Sequence, residues 1–347
     1  MIHATDLFRP PDDPDDHWDL ATVYALAFQG LVRLKAIVVD FPLARRRNDP
    51  DALAVAQMNY LTRQTVPLVV GPPRPAGQRP QHDGLMPGEQ AGVEAVLEIL
   101  RHSDEPVVIN ITGSCRTIAA AGRRDADLFA RQCAAIYLNA GTGSPDPAKA
   151  RHLEHNVTLD PRAYAAIFRL PCPVYWMPCF EEFDGRLADG GWPVRPYGTY
   201  WRFRHADLLP HLSDRLLNYF TFIYRAGKKE QVARLPTAWL QHLLGPRDTE
   251  EEARQNPRYR NMWCTAGFLH AVGNAVTGDG RIVPVGDAAT GVVATFDPVR
   301  VSVDDHGVTR WRPAQEPTRH HIFHVRDTAR YQRAMTTALR RLLSSLP

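Results

Sequence analysis

The sequence predicts an α/β fold in which helices flank a mostly parallel central sheet. The arrangement is open and doubly wound, with a smaller C-terminal helical and β elaboration. Short apolar runs alternate with amphipathic stretches through the first two thirds of the chain, which is typical of a parallel sheet covered on both faces. We find no internal repeat and no low-complexity linker. We therefore expect one domain over residues 1–347, with an inserted aromatic-rich segment at about 178–205.

Six apolar runs have the length and the nearly continuous apolar character of strands buried on both faces. In chain order they are the N-terminal run that ends in Ala4-Thr5-Asp6, and then Leu34–Phe41, Val66–Val70, Pro106–Ile111, Ala134–Leu138 and Pro173–Met177. Helical apolar spacing lies between them, at Leu20–Phe28, Asp49–Arg63, Gly88–Leu100, Ile118–Arg131 and Pro161–Phe168. Such sheets bind ligands at the carboxyl ends of their strands, so we expect the chemistry in the loops that follow the strands.

The last part of the chain has a different pattern. Its predicted elements are helices at Leu208–Tyr224 and Pro236–Leu244, an exposed charged loop at Arg247–Arg260, a mixed helix at Asn261–Val276, short strands within Ile282–Val301 and an amphipathic helix at Asp327–Leu346. Before these elements, Phe180–Phe203 is rich in glycine, aromatic and charged residues. Its aromatic side chains either stack on a flat ligand group at the pocket mouth or form a satellite cluster beneath a long loop. They are Trp192, Tyr197, Tyr200 and Trp201.

Composition excludes several classes of function. With 41 Lys and Arg against 38 Asp and Glu, the net charge is +3, which is too weak to indicate a nucleic-acid or acidic-membrane partner. No apolar run approaches the roughly 18 residues of a transmembrane helix. The first residues lack a basic stretch followed by an apolar one, so we expect no secretory signal. The five cysteines lack the paired spacing of a zinc site or a disulfide framework. We therefore expect a cytoplasmic protein.

Carboxylates are concentrated between the first strand and the first helix. They are Asp6, Asp12, Asp13, Asp15, Asp16 and Asp19. Helix capping and the helix dipole explain one or two of them. Six packed carboxylates repel one another unless a cation or protons neutralise them, and hard oxygen ligands favour Ca²⁺ or Mg²⁺. The cluster therefore predicts a metal site.

Two later motifs also follow predicted strands. Thr112-Gly113 forms a turn that can aim backbone groups at a ligand. Glu154 and Asn156, two apart on a segment that we predict to be extended, point the same way and can hold neighbouring hydroxyls of a sugar. The Asp160-Pro161 pair that follows is equally well explained as the start of a capped helix.

The order of these motifs resembles the inosine–uridine preferring nucleoside hydrolase family. The resemblance runs over roughly residues 3–340 and rests on motifs that are specific only in combination. They are Asp6 with Asp15-Asp16, Thr112-Gly113 with Ile118-Ala119, Asn139-Ala140-Gly141, Glu154-x-Asn156 with Asp160-Pro161, and the late strand pair Val299–Arg310. The resemblance implies a nucleoside hydrolase-like fold and an N-glycosidase that cleaves a ribonucleoside or a related small glycoside.

The resemblance also implies a mechanism. A Ca²⁺ ion holds a water molecule and the ribose hydroxyls, and an Asp activates that water for attack on the anomeric carbon. Carried onto this sequence, Asp6 is the catalytic base and a metal ligand, and the other metal ligands are Asp16 and the carbonyl of Thr112. The residues that bind the ribose are Asp15, Asn139, Glu154 and Asn156. The expected partner is a nucleoside, and the family's members form dimers or tetramers, so we expect a homo-oligomer.

Two departures from the family pattern matter. Leu7–Pro14 is inserted, so Asp12 or Asp13 can take the roles given to Asp15 or Asp16. Trp263-Cys264 stands where the family has a His-Asp pair, and a thiol is a poor Ca²⁺ ligand.

An indole cannot supply a proton to the leaving group. Either the leaving group needs no acid, or another residue supplies the proton, with His17, His155 and His270 as the candidates. The change at Cys264 favours a second hypothesis, in which the protein is a catalytically impaired member that binds a sugar or a nucleoside. A hydrolase for another metal-dependent substrate is a third interpretation.

Overall fold

The structure is a computed structural model of the 347-residue chain. It describes residues 1–7, 14–39, 50–72, 74–75, 87–146, 148–149, 153–183, 185–226, 236–287 and 291–347. Asp12 and Asp13 lie outside the described residues, so the alternative roles given to them remain predictions. No helix in the described ranges combines the length and the apolarity needed to cross a membrane.

A nine-stranded sheet forms the centre of the molecule, and its strands run in the order β12-β11-β13-β6-β5-β4-β1-β2-β3. The seven strands from β13 to β3 are parallel to their neighbours, whereas β11 and β12 are antiparallel. The strand bounds are β1 Ile2–Thr5, β2 Ala36–Val39, β3 Leu68–Val70, β4 Val107–Ile111, β5 Cys133–Asn139, β6 Val174–Met177, β11 Ala294–Val303, β12 Thr309–Pro313 and β13 His320–Val325. All six predicted strands are present, and the predicted mostly parallel sheet is confirmed.

Helices cover both faces of this sheet. Their bounds are α1 Pro14–Phe28, α2 Pro50–Thr62, α3 Pro87–Arg101, α4 Arg116–Arg124, α5 Ala126–Gln132, α6 His155–Leu159, α7 Pro161–Ile167, α8 Asp214–Ala226, α9 Pro236–Leu244, α10 Thr249–Gln255, α11 Thr265–Ala271 and α12 Thr328–Leu343. Two large apolar cores result, one on each face. Trp18 of α1 lies in one core, and Ile118 of α4 lies in the other.

Two further two-stranded sheets lie outside the main one. In the first, β7 (Trp201–Arg204) pairs antiparallel with β8 (Tyr259–Met262). In the second, β9 (Asn274–Val276) pairs with β10 (Ile282–Pro284). The segment that we predicted as one mixed helix is therefore divided into β8, α11 and β9. This division ends β8 two residues before Cys264.

The first helix begins earlier than predicted. We expected it at Leu20, but α1 begins at Pro14. Proline suits the first helical position, and Asp15 and Asp16 in the first turn interact favourably with the positive end of the helix dipole. The aspartates are therefore helical, which fixes their spacing.

Capping aspartates explain two other differences. The predicted exposed loop at Arg247–Arg260 contains α10, because Asp248 caps it by accepting from the Glu251 amide at 3.1 Å. The single helix predicted for Ile118–Arg131 is divided into α4 and α5, because Asp125 accepts from the Leu128 amide at 3.0 Å and starts a new helix there.

Candidate active site

The carboxyl ends of the central parallel strands bring the predicted site residues together. Asp6 directly follows β1, Thr112 directly follows β4, and Asn139 is the last residue of β5. Parallel neighbours end at the same edge of a sheet, so these three polar residues lie along one rim. All three are buried.

A cluster of buried carboxylates lies at this rim. The carboxylates of Asp15, Asp16 and Asp19 each offer an oxygen, and the three oxygens lie within 4.8 Å of one another. Spacings of three and four residues on a helix place side chains on the same face, so the first turns of α1 build the cluster. Sequence reasoning counted Asp19 among the clustered carboxylates but gave it no role. Its spacing of four residues from Asp15 indicates that the two carboxylates share a helix face.

Asp16 joins the helix to the strand ends. Its Oδ2 accepts from the Thr5 hydroxyl at 2.6 Å, from the Asp6 amide at 3.1 Å and from the Thr112 hydroxyl at 3.3 Å. These three hydrogen bonds converge on a single carboxylate oxygen. They also hold the start of α1 against β1 and β4.

Gly113 lets the Thr112 turn approach Asp6 closely. A Cβ on Gly113 would lie 2.9 Å from Cγ of Asp6 and 3.0 Å from its amide nitrogen. Any larger residue would push the Asp6 carboxyl away. The glycine of the predicted Thr-Gly turn is therefore required by the packing of Asp6.

A second hydrogen-bond network holds the residues predicted to bind ribose. The side-chain amide of Asn156 donates to the carbonyl of Thr112 at 2.9 Å and to the carbonyl of Asn139 at 3.1 Å. The Asn139 amide in turn donates to the carbonyl of Met177 at 2.9 Å and to the Thr199 hydroxyl at 3.1 Å. These bonds tie together the ends of β4, β5 and β6.

We expected Glu154 to lie on an extended segment, but it caps the N-terminus of α6. Its carboxylate accepts from the Asn156 amide at 2.8 Å and from the Gly141 amide at 2.9 Å. Gly141 has φ +87°, and a Cβ there would meet the Tyr164 hydroxyl at 2.6 Å. The extended interpretation was wrong because a local cap decided the conformation. The ribose-binding roles remain predictions.

Asp160 has a structural role, in agreement with the capped-helix interpretation of the Asp-Pro pair. It caps α7 by accepting from the Ala163 amide at 3.0 Å. Its other oxygen lies 3.6 Å from Nε of Arg116, whose guanidinium also donates to the carbonyl of Leu159.

Cys264 lies beside the carboxylates. Its thiol donates to the side-chain oxygen of Asn139 at 3.0 Å. Burial raises the pKa of this thiol well above its usual range, and the charges of Asp19, Asp16 and Asp15 raise that pKa further. The thiol is therefore neutral near pH 7.

The aromatic segment forms a cluster at the same rim. The rings of Phe180, Trp192, Tyr200 and Trp263 pack on one another at centroid distances of 5.0 Å to 6.3 Å. Two of the predicted aromatics are elsewhere. Trp201 is fully buried in a core, and Tyr197 packs on Trp311 and His324. The satellite-cluster interpretation therefore describes Trp192 and Tyr200.

Two of the three candidate histidines are neutral and have structural partners. His17 lies 2.7 Å from the Tyr219 hydroxyl, and burial together with Arg260 lowers its pKa to about 3. His270 lies 2.7 Å from the Tyr137 hydroxyl, and burial lowers its pKa to about 4. Neither is a proton donor near pH 7. His155 is the first residue of α6, directly after Glu154.

Comparison with known proteins supports the fold. The sequence matches no family model, and no curated protein matches it. Solved structures match over nearly the whole chain. A plant nucleoside hydrolase has a TM-score of 0.55 at 14% identity, over 99% of this chain and 98% of that one.

Two further structures are similar to this chain. The type III effector protein XopQ, complexed with adenosine diphosphate ribose, has a TM-score of 0.52 at 15% identity, over 99% of this chain and 93% of that one. A purine-preferring ribonucleoside hydrolase from Gardnerella vaginalis has a TM-score of 0.50 at 14% identity, over 99% of this chain and 98% of that one. The chain thus has a nucleoside hydrolase-like fold, while the inosine–uridine preference remains a prediction.

Proposed function

We propose that this chain is an N-glycosidase that hydrolyses a ribonucleoside or a related small glycoside. The observation that carries the proposal is the buried carboxylate cluster of Asp15, Asp16 and Asp19 next to Asp6, at the carboxyl ends of the parallel strands. Buried like charges are costly unless a cation or a proton neutralises them. The similarity to nucleoside hydrolase structures supports the same reaction class.

The oxygen donors at the rim fit a divalent cation, and Cys264 is the exception among the residues beside them. The donors at the rim are carboxylates and the Thr112 carbonyl, which are the hard oxygen ligands that Ca²⁺ takes. Gly113 packs against the Asp6 carboxyl group, and the backbone amide of Asp6 donates to Asp16 at 3.1 Å. Cys264 supplies sulfur where the family has a carboxylate, and a neutral thiol contributes little to Ca²⁺. We propose Asp6, Asp16 and the Thr112 carbonyl as ligands, and Asp19 as an addition to them.

A cation at this position supplies Lewis acidity and a counter-charge to the carboxylates. Asp6 accepts the proton of the attacking water. The water oxygen bonds to the anomeric carbon as the bond from that carbon to the base nitrogen breaks. The leaving base keeps the electron pair and takes up a proton from solvent, while Asp6 later returns the proton it accepted to solvent. Asp15, Asn139, Glu154 and Asn156 orient the ribose in this proposal.

A panel of nucleosides with a reducing-sugar assay tests the proposal. We expect sugar release by the wild type and a loss of about 10²-fold or more in Asp6→Asn, since a positioned base contributes that much. Asp104→Asn is a matched control, because Asp104 is exposed. If no nucleoside releases sugar, or if Asp6→Asn retains full activity, the proposal is wrong.

Cys264 favours a second candidate, a member that binds a nucleoside or a related ligand without turnover. The similar effector XopQ was solved with bound adenosine diphosphate ribose. Isothermal titration with nucleosides and with adenosine diphosphate ribose, followed by product analysis, separates the two candidates. Saturable binding with no product supports the second, and product supports the first. Homo-oligomerisation and a cytoplasmic location remain predictions, and light scattering tests the former.

A further inference from the structure

A groove of about 480 Å³ lies between the β7–β8 pair and the C-terminal helix α12. Its lining is dominated by guanidinium groups with hydroxyls beside them. Its lining residues include Arg202, Arg204, Tyr259, Arg333, Thr337 and Arg340. None of the groove's lining residues belongs to the candidate active site, so the groove is a separate feature.

Secondary-structure periodicity explains why these side chains converge. Alternate residues of a strand share a face, so Arg202 and Arg204 point to the groove while Trp201 and Phe203 of the same strand are buried. On α12, Arg333 and Arg340 are seven residues apart and therefore lie on one helix face. The strand and the helix each contribute two arginines to the same space.

Negative charge in the groove does not balance these arginines. Arg202 forms an ion pair with Asp189 at 2.6 Å. The carboxylate of Asp207 lines the groove but accepts from the backbone amide of Arg204 at 3.3 Å. Within the described part of the chain, no carboxylate forms an ion pair with the guanidinium of Arg204, Arg333 or Arg340. Among the described residues that line the groove, Asp207 is the one acid beside these three cations.

The Tyr259 ring holds the two strand arginines in place. The guanidinium carbon of Arg202 lies 4.5 Å from the ring centroid, and that of Arg204 lies 5.6 Å from it. Cation–π contacts of this kind orient a guanidinium while leaving its N–H donors available. A planar guanidinium can donate two parallel hydrogen bonds to two oxygens of one phosphoryl group.

We propose that this groove binds a diphosphate group, either as inorganic pyrophosphate or as part of a nucleoside diphosphate. Two linked phosphoryl groups carry more negative charge and more acceptor oxygens than one, so a diphosphate can engage guanidiniums of both the strand and the helix. The proposal is independent of the proposed N-glycosidase activity. Without a bound cation, the carboxylate cluster of the candidate active site would repel a diphosphate.

Isothermal titration with pyrophosphate and with ADP tests the proposal. A chelator prevents metal-mediated binding at the carboxylates. Low salt keeps the attraction between the diphosphate and the arginines from being screened. We expect saturable binding that weakens at least tenfold in Arg204→Gln and in Arg340→Gln. Arg131→Gln is the matched control, because it removes an exposed arginine of α5, and binding should be unchanged.

The two ligands distinguish the source of the diphosphate. Equal affinities indicate that the diphosphate group alone is recognised, and tighter ADP binding indicates that the nucleoside adds contacts, so both results support the proposal. Far-ultraviolet circular dichroism confirms that the variants are folded. No binding of either ligand by the folded wild type overturns the proposal. Binding that is unchanged in both groove variants overturns it as well.

Discussion

The thiol of Cys264 donates to the side-chain oxygen of Asn139 over 3.0 Å, which places a neutral sulfur beside three buried carboxylates. We expect Cys264→Asp to bind Ca²⁺ about tenfold more tightly than the wild type, a gain of about 1.4 kcal/mol. Without the ion this variant should be less stable, because it adds another buried carboxylate. Calcium titration calorimetry measures the gain, with Cys264→Ser as the control. Equal Ca²⁺ affinities in the three proteins would show that residue 264 does not contribute to the metal site.

Gly113→Ala is expected to lower the free energy of unfolding by about 1–3 kcal/mol, because the new Cβ would lie 2.9 Å from Cγ of Asp6. It should also weaken nucleoside and metal binding by displacing that carboxyl group. Urea denaturation measures the loss. Gly286→Ala is the matched control, since a Cβ there meets nothing within 4 Å, and it should change stability by less than about 0.5 kcal/mol. Equal effects of the two substitutions would contradict the close packing.

Asp19→Asn should have opposite effects with and without metal. In the metal-free protein, removing one of three clustered buried charges relieves repulsion and should stabilise the fold by on the order of 1 kcal/mol. With Ca²⁺ present, the stabilisation gained on adding the ion should shrink, because a ligand oxygen is lost. Thermal unfolding with chelator and with excess Ca²⁺ measures both effects. Asp104→Asn serves as the exposed control. A metal-free melting temperature below that of the wild type would argue against the repulsion.

His3 should make stability depend on pH. Burial lowers its pKa from 6.5 to about 3, so the unfolded chain binds a proton at pH values where the folded protein does not. Its contribution is therefore fully present above pH 6.5 and is lost as the pH falls toward 3. In buffers between about pH 5.5 and 4, the contribution of His3 to the free energy of unfolding should fall by about 1.4 kcal/mol for each pH unit.

The variant His3→Leu removes that contribution. We expect a correspondingly shallower dependence of unfolding free energy on pH, measured by urea denaturation at several pH values. His211→Leu removes an exposed imidazole and is the control. A slope in His3→Leu that equals the wild-type slope would show that His3 is not protonated on unfolding.

Much of the fold could be predicted because β1 to β6 are buried on both faces and read as nearly continuous apolar runs. Helix boundaries were harder, because single capping residues decide them. Asp125 caps α5 and so divides one predicted helix into two. Asp248 caps α10 in a segment whose high charge had suggested an exposed loop. These caps outweigh the apolar periodicity of the surrounding residues.

The rim residues Asp6, Thr112 and Asn139 were predictable, since each follows or ends an identifiable strand. Their partners were not. The aromatic cluster depends on Trp263, which is distant in sequence and is brought to Tyr200 only by the pairing of β7 with β8. Contacts of this kind follow from tertiary structure and leave no local pattern.

The carboxylate cluster has an unusual origin along the chain. Asp15, Asp16 and Asp19 come from five consecutive residues, so bringing them together closes no long loop. The other contributors to the rim are Asp6 after β1, Thr112 after β4 and Cys264 between β8 and α11, so they come from three separate loops. One half of the site therefore forms with a single helical turn, and the other half forms only when the sheet assembles. Cation affinity measured during refolding would accordingly rise in two stages and would follow sheet assembly in the second.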